Sequence, residues 1–149
     1  RGARPGAGGT RRPGALTPVE LSLWATFVSA FVSATLLPGN SEIVLAVALK
    51  AGAAPAAAIA VATLGNTLGG LTTYGIGRLL PTRMPEGRAI ARVRRYGVAV
   101  LLLAWVPIAG DALCAAAGWL RLNWLGCTLA MAAGKAARYA ALAHAVALF

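Results

Sequence analysis

The chain has 149 residues, of which 58% are hydrophobic and only 12% are charged, and its mean hydropathy is +0.71. Because a soluble domain usually has about 25% charged residues, this composition excludes an ordinary soluble domain and indicates a membrane protein. The net charge of +10 comes almost entirely from arginines that flank apolar segments with few aromatic residues, so attraction to anionic lipid explains it better than nucleic-acid binding.

The sequence predicts two regions. Residues 1–18 are rich in Gly, Pro and Arg and are expected to form a disordered basic tail. Residues 19–149 are expected to form one membrane domain with two repeats, 19–80 and 97–149, joined by a basic connection over 81–96. The positive-inside rule places this connection in the cytoplasm. A signal peptide is an alternative for the first apolar block, but more apolar sequence follows it instead of a soluble passenger.

The first repeat is expected to begin with a helix that is then broken. The segment Thr17-Pro18-Val19-Glu20 has a capping hydroxyl, a proline and an acid in the order typical of a helix start. The helix should run to about Leu37. Proline stops a helix and glycine lets the chain reverse, so Pro38-Gly39-Asn40 predicts a break. A short second arm should begin near Ser41 or Glu42 and end near Gly52.

A long helix should complete this repeat over about 55–80. One of its faces carries polar and small residues at every fourth position, namely Asn66, Gly70, Tyr74 and Arg78. A neighbouring stripe of small residues lets another backbone approach closely, either within the chain or in a homo-oligomer. The stripe comprises Gly65, Gly69, Thr73 and Gly77.

The basic connection should contain a short amphipathic helix over 86–96, at the membrane interface, with Ile90 and Val93 on its apolar side. A solvated loop is the alternative. The second repeat should then follow the order of the first, with a helical arm over 97–106, a break from Pro107 to Gly110, a second arm over 111–119, a turn over 120–124 and a last helix over 125–148.

Two broken segments at corresponding places indicate a transport site near the middle of a bilayer. The arm after each break has about 10 residues, or roughly 15 Å of helix, which is half of a bilayer. We therefore expect an all-α integral membrane protein with two re-entrant helical hairpins and long transmembrane helices, related by an inverted repeat. The side on which the tail lies stays open, because re-entrant hairpins would place it outside, against the positive-inside rule.

An acidic residue follows each break, Glu42 after the first and Asp111 after the second. A charged acid at the centre of a membrane helix costs about 2.5–3.5 kcal/mol, and a helix N-terminus returns typically about 0.3–1 kcal/mol. Each acid therefore needs water, a cation, a partner side chain or a bound proton. We expect both acids to couple transport to protons, and capping at a wet membrane surface is the alternative.

Two basic residues, Lys135 and Arg138, lie deep in the last apolar helix and can attract an anionic ligand. Half-helix N-termini can offer free backbone N–H groups to the same ligand. The residues expected to bind substrate are therefore Pro38, Gly39, Asn40, Asn66, Pro107, Gly110, Lys135 and Arg138.

Enzymatic chemistry is not expected, since Asp111 is the one aspartate of the chain and a carboxylate dyad needs two. His144 is the one histidine, so a zinc peptidase motif is excluded, and no GxSxG elbow occurs. Cys114 and Cys127 are expected to be small buried residues and not a disulfide or metal pair. We expect no catalytic residue, no metal and no cofactor.

Several motifs together resemble the DedA family of the SNARE-associated Golgi, or VTT-domain, superfamily, and the short YqaA-like branch most of all. The resemblance covers the chain from about Phe27 to Ala143. Its motifs, in the order of the family, are FVSATLLPGNSE at 31–42, GNTLGGLTTYGIGR at 65–78, RRYGVAVLLLAWVPIAGD at 94–111, AGWLRLNW at 117–124 and GKAARY at 134–139.

The resemblance implies a multi-pass protein of the bacterial inner membrane, with opposing re-entrant hairpins and inverted pseudo-symmetry. It also implies proton-motive-force-linked transport of a lipid carrier such as undecaprenyl phosphate, with lipid scrambling in eukaryotic relatives. Glu42 matches the membrane acid of the family, and Pro107 matches the proline of the second hairpin. Longer members carry arginines around that proline, whereas this chain has Trp105 before it and Asp111 after it.

The expected function is thus a flippase-like transporter of an anionic lipid carrier, coupled to protons through Glu42 and Asp111. A structural or assembly factor of the membrane and a small ion channel are the alternatives.

Overall fold

A computed structural model describes residues 16–34, 41–81, 87–106 and 108–148. Every regular element in these ranges is helical. The elements are α1 (Pro18–Ser33), α2 (Ser41–Lys50), α3 (Pro55–Leu79), α4 (Arg88–Tyr96), a 3₁₀ helix (Gly97–Leu103), α5 (Ala109–Trp119) and α6 (Trp124–Ala147). The predicted all-α class is confirmed.

Side-chain caps begin α1 and α6 near the positions that the sequence predicts, whereas α5 begins at Ala109, before the expected Asp111, without a side-chain cap. At α1 the Glu20 backbone N–H donates to Thr17 Oγ1 at 3.2 Å, and the Thr17 N–H donates to Glu20 Oε2 at 2.7 Å. This capping box satisfies two N–H groups that the helix itself leaves without partners. At α6 the side chain of Asn123 accepts a hydrogen bond from the Leu125 N–H at 3.0 Å.

Two segments differ from the expected α-helices. The α-helix of α1 ends at Ser33, before the expected Leu37. Residues 97–106 contain a 3₁₀ helix followed by turns, in which the Ala104 and Val106 N–H groups donate to carbonyls three residues earlier. Proline at 107 has no N–H to donate to Leu103, so the sequence cannot continue an α-helical ladder there.

Helix α3 lies at the centre, and its stripe of small residues packs within the chain. A Cβ on Gly65 or Gly69 would collide with backbone carbonyls of α1, and one on Gly77 would collide with the Ala115 carbonyl of α5. The Thr73 hydroxyl donates to the Ala34 carbonyl at 3.2 Å. Of the two predicted uses of this stripe, packing within the chain is therefore realised, and the homo-oligomer stays a prediction.

The second long helix, α6, crosses α3 in the opposite direction. Asn66 of α3 contacts Tyr139 of α6, and Gly70 of α3, one turn later, lies beside Lys135 of α6. The 3₁₀ helix packs along α6, where Gly134 allows the Leu102 carbonyl to approach. These contacts place both long helices at the core, with the broken segments against them.

The connection forms helix α4, so the helix is confirmed over the loop alternative. Val93 is fully buried and Ile90 packs against the core, whereas Arg88, Arg92 and Arg95 are exposed. This distribution matches the predicted apolar side.

The outer surface is apolar to an extent that is unusual for a soluble protein. Among the described helices, α3 is the one that is long and apolar enough to cross a membrane by length and composition, and α1 is apolar but shorter. Large apolar side chains that are at least 45% exposed include Leu21, Trp24, Val28, Ile43, Val47, Leu64, Leu68, Ile76 and Leu129. Such a surface suits contact with lipid.

We expect Gly77→Ala to lower the apparent Tm by several degrees. The added Cβ would overlap the Ala115 backbone, and overpacking of this kind costs about 1–3 kcal/mol. Thermal unfolding in detergent, followed by circular dichroism, measures the change.

Gly75→Ala in the same helix is the matched control, because a Cβ there meets nothing within 4 Å. This variant should be neutral or slightly stabilising, since alanine is the better helix former. Equal destabilisation by both variants would contradict the close approach of α3 and α5.

Candidate functional site

A cavity of about 310 Å³ lies where α2, α3, α5 and α6 meet the loop that precedes α5. Four of the residues predicted to act in transport line it, namely Glu42, Asn66, Asp111 and Arg138. The other lining residues are Ser33, Ala34, Ala104, Trp105, Val106 and Ile108. The structure therefore brings together four predicted residues, of which the first and last, Glu42 and Arg138, are 96 positions apart in the sequence.

Arg138 contacts both broken segments. Its Nη2 forms an ion pair with Glu42 Oε1 at the start of α2. Its Nη1 donates to the Trp105 carbonyl, just before the second break, at 2.8 Å. The side chains of Arg138 and Glu42 are 21% and 41% exposed, so bulk water screens this pair less than a fully exposed one.

Lys135 lies behind the cavity and does not line it. Its side chain is 2% exposed, and its Nζ donates to the backbone carbonyl of Asn66 in the middle of α3. It also interacts electrostatically with Asp111. A buried cation needs such partners, because removal from water is costly. Helix α6 thus supplies Arg138 as the ion-pair partner of Glu42, and Lys135 within electrostatic range of Asp111.

A chain of hydrogen bonds next to the ion pair joins three helices, α2, α3 and α6. The Asn66 side-chain amide donates to Tyr139 Oη at 2.8 Å, and that hydroxyl donates to Ser41 Oγ at 3.2 Å. All three residues are buried. The chain fixes the position of Ser41, and with it the start of α2 beside α3 and α6.

The second break contains a strained residue. Ile108 has φ 65° and ψ −53°, a conformation that a β-branched side chain rarely adopts. Gly110 is buried and lies so close to the Ala104 carbonyl that a Cβ would not fit. Gly110 is therefore needed for the close turn, and it does not line the cavity. Strain of this kind is found mainly where function requires it.

Sequence reasoning gave no site role to Ser41, Tyr139 or the Trp105 carbonyl. Tyr139 follows Arg138 directly in GKAARY, so its place in that motif was the available signal. A backbone acceptor such as the Trp105 carbonyl has no signal in residue type. The predicted residues Pro38, Gly39, Asn40 and Pro107 lie outside the described residues.

An apolar groove of about 670 Å³ adjoins the polar cavity. The two share Glu42, Trp105 and Arg138, and the groove is otherwise lined by Gly134, Ala137, Ala141 and Leu142. The ion pair therefore stands at the border between polar and apolar space. Such a site can hold the charged head of an amphiphile on one side and its tail on the other.

Neither cysteine takes part in a disulfide, since Cys114 and Cys127 are free and buried, as the sequence predicts. Within the described ranges, no group of three or more His, Cys, Asp or Glu residues could hold a metal ion.

The chain is similar to three bacterial proteins along most of its length. It is 46% identical over 129 residues to inner membrane protein YqaA of Escherichia coli (strain K12), covering 84% of this chain and 91% of that protein. The identity and coverage are the same for inner membrane protein YqaA of Shigella flexneri. An uncharacterized protein of Haemophilus influenzae is 50% identical over 137 residues, which cover 81% of this chain and 85% of the relative. No protein-family model and no solved structure matches the chain.

We expect Tyr139→Phe to lower the apparent Tm by several degrees. The change leaves the buried amide of Asn66 and the hydroxyl of Ser41 without their shared partner, and each such group costs about 1–3 kcal/mol. Tyr96→Phe is the matched control, because Tyr96 is 55% exposed and its hydroxyl can bond to solvent. If the two variants unfold at the same temperature, the buried chain of hydrogen bonds does not stabilise the fold.

Proposed function

This chain belongs to the DedA family, in its YqaA-like branch, and on that premise we propose that it moves an anionic lipid carrier of the polyprenyl-phosphate type across the membrane. It is a bacterial inner-membrane protein, as its named relatives are. One observation carries the proposal: Arg138 stands between a polar cavity that contains two acids and an apolar groove.

We propose that both broken segments are re-entrant hairpins, related by an inverted repeat in a multi-pass fold. Ala34, at the end of α1, contacts Gly69 and Thr73 of α3, which lie before the C-terminal end of α3. Helix α1 therefore ends partway along α3, as the first arm of a re-entrant hairpin would. The opposite directions of α3 and α6 support the inversion. In each proposed repeat, the long helix has a glycine where the preceding arm packs on it. Gly65 of α3 contacts α1, and Gly134 of α6 contacts the 3₁₀ helix.

The headgroup is proposed to bind at Arg138. A guanidinium can form two parallel hydrogen bonds to a phosphate, and here it faces a cavity that Asn66 also lines. The N-termini of α2 and α5 lie beside the same cavity and can offer N–H groups. Pro38, Gly39, Asn40, Pro107 and Gly110 are proposed to shape the hairpin ends around the headgroup, in line with their places in the sequence.

The lipid tail is proposed to occupy the apolar groove. Its wall on α6 consists of small and apolar residues, Gly134, Ala137, Ala141 and Leu142. A hydrocarbon chain there would pack against these side chains by van der Waals contact, which is what associates apolar groups inside a bilayer. The tail would also leave the headgroup next to Arg138.

Charge balance supports proton coupling. The cavity holds two acids, Glu42 and Asp111, and the cation Arg138, and Lys135 lies behind it. These charges balance, so an anionic headgroup adds uncompensated negative charge. Such charge is costly where water is scarce. A proton on either acid would remove it, so binding of the headgroup and of a proton should favour each other.

The proposal assigns no catalytic residue. A small ion channel and a structural or assembly factor are the competing functions, and reconstitution separates them. A channel would conduct ions without a lipid phosphate. A structural factor would move neither ions nor lipid.

We expect Glu42→Gln and Asp111→Asn to reduce lipid-phosphate flipping driven by a pH gradient at least tenfold. A side-chain amide does not ionise, so it cannot take up and release the coupled proton. The measurement follows a fluorescent polyprenyl phosphate in proteoliposomes with and without the gradient. Gel filtration and thermal unfolding verify that each variant is folded.

Glu20→Gln is the matched control for the acids, since Glu20 lies in the exposed capping box of α1 and glutamine can serve the same box. Its flipping rate should equal that of the wild type. Unchanged rates in both cavity variants would remove the proton role, and no flipping by the wild type would remove the transport proposal.

We expect Arg138→Gln to weaken binding of a polyprenyl phosphate in detergent about tenfold or more, since a hydrogen bond to a charged group contributes about 1.5–3 kcal/mol. Arg121→Gln removes the same charge from an exposed turn outside the cavity and should leave binding within twofold. Equal losses would mean that overall charge, and not this site, attracts the ligand.

A further inference from the structure

A second groove lies on the other side of the loop before α5, between α4, the 3₁₀ helix and α5. It encloses about 500 Å³, a volume within the range of small-molecule sites. Most of its wall is apolar, and it is lined by Arg92, Tyr96, Ala99, Val100, Leu103, Val106, Ala109 and Leu113. Among these described lining residues none is acidic, in contrast to the cavity around Arg138.

Helix α4 carries a row of positive charge, and one member of the row, Arg92, lines this groove. Arg88, Arg92 and Arg95 are exposed and are spaced four and three residues apart, so they share one face of the helix. The guanidinium of Arg95 lies 5.3 Å from the centre of the Tyr96 ring. Arginine next to tyrosine at the mouth of an apolar groove is the combination expected at the level of lipid headgroups.

We propose that this groove binds an anionic phospholipid of the surrounding membrane. The phosphate would contact Arg92, with Arg88 and Arg95 adding to the attraction, because guanidinium groups match the geometry of phosphate oxygens. One acyl chain would lie against Leu103 and Val106, with the buried Leu113 beneath them, and it would cover the exposed side chain of Leu103. The charge of the row selects an anionic lipid over a zwitterionic one.

This site is separate from the one proposed for transport, although the two are mechanically connected. Val106 lines both the second groove and the cavity that contains Arg138. A bound acyl chain would therefore support, from behind, the loop that carries the strained Ile108 and the Trp105 carbonyl.

Native mass spectrometry of the purified protein in detergent tests the site, with titration of dioleoyl phosphatidylglycerol and dioleoyl phosphatidylcholine. The wild type should retain phosphatidylglycerol at least fivefold more strongly than phosphatidylcholine. Arg92→Gln should reduce this preference to less than twofold. Ala99→Phe, which fills the groove without a change of charge, should weaken retention of phosphatidylglycerol at least threefold.

Arg94→Gln is the matched control, since Arg94 is exposed on nearly the opposite face of α4 from Arg92 and does not line the groove. It should keep the preference within twofold of the wild type. Equal loss in Arg94→Gln and Arg92→Gln, or no preference in the wild type, would overturn the proposal. Neither Arg92 nor Ala99 lines the cavity that contains Arg138, so this result and the transport result are independent.

Discussion

The fold depends on how a positive charge can be accommodated in an apolar helix. Arg138 lies in α6 among small and apolar residues, and it is held by an acid from one broken segment and a backbone carbonyl from the other. Glu42 lies at the start of α2 and Trp105 lies just before the second break, so the guanidinium ties the two segments to each other. The same contact thus stabilises the charge and brings Glu42 and Trp105 to one place.

Close packing of backbones makes these contacts reachable. Short side chains such as Asn66 and Ser41 can meet across helices only if the helix axes are close, and glycine permits that approach. Gly65, Gly69 and Gly77 bring α1 and α5 onto α3, while Gly134 brings the 3₁₀ helix onto α6. The glycines are therefore required for the site, although none of those on α3 contacts the cavity.

The sequence predicted the elements that local chemistry determines. The structure confirms the helix starts at Thr17 and Pro55 and the helix in the connection, over 88–96. These features could be predicted because helix caps, prolines and amphipathic spacing act over only a few neighbouring residues. Pro107 marks the end of the helical arm, but residues 97–103 carry no local signal for a 3₁₀ helix, so that geometry could not be predicted. The segment packs on α6, where the Leu102 carbonyl approaches Gly134. The different environments of Lys135 and Arg138 also depend on tertiary structure: both lie on a similar face of α6, and the rotation of α6 against α3 decides which one reaches the cavity.

The ion pair itself explains why an anion and a proton should act together in the proposed transport. Movement of α2 away from α6 would leave Glu42 and Arg138 without each other, and an unpaired charge away from water is costly. A phosphate can replace Glu42 at Arg138, and a proton can replace Arg138 at Glu42. The two replacements depend on each other, since the phosphate pairs with the Arg138 that Glu42 has left and the proton neutralises the Glu42 that Arg138 has left. A transporter built on this pair would therefore open most easily when both ligands are present, and the coupling would need no further switch.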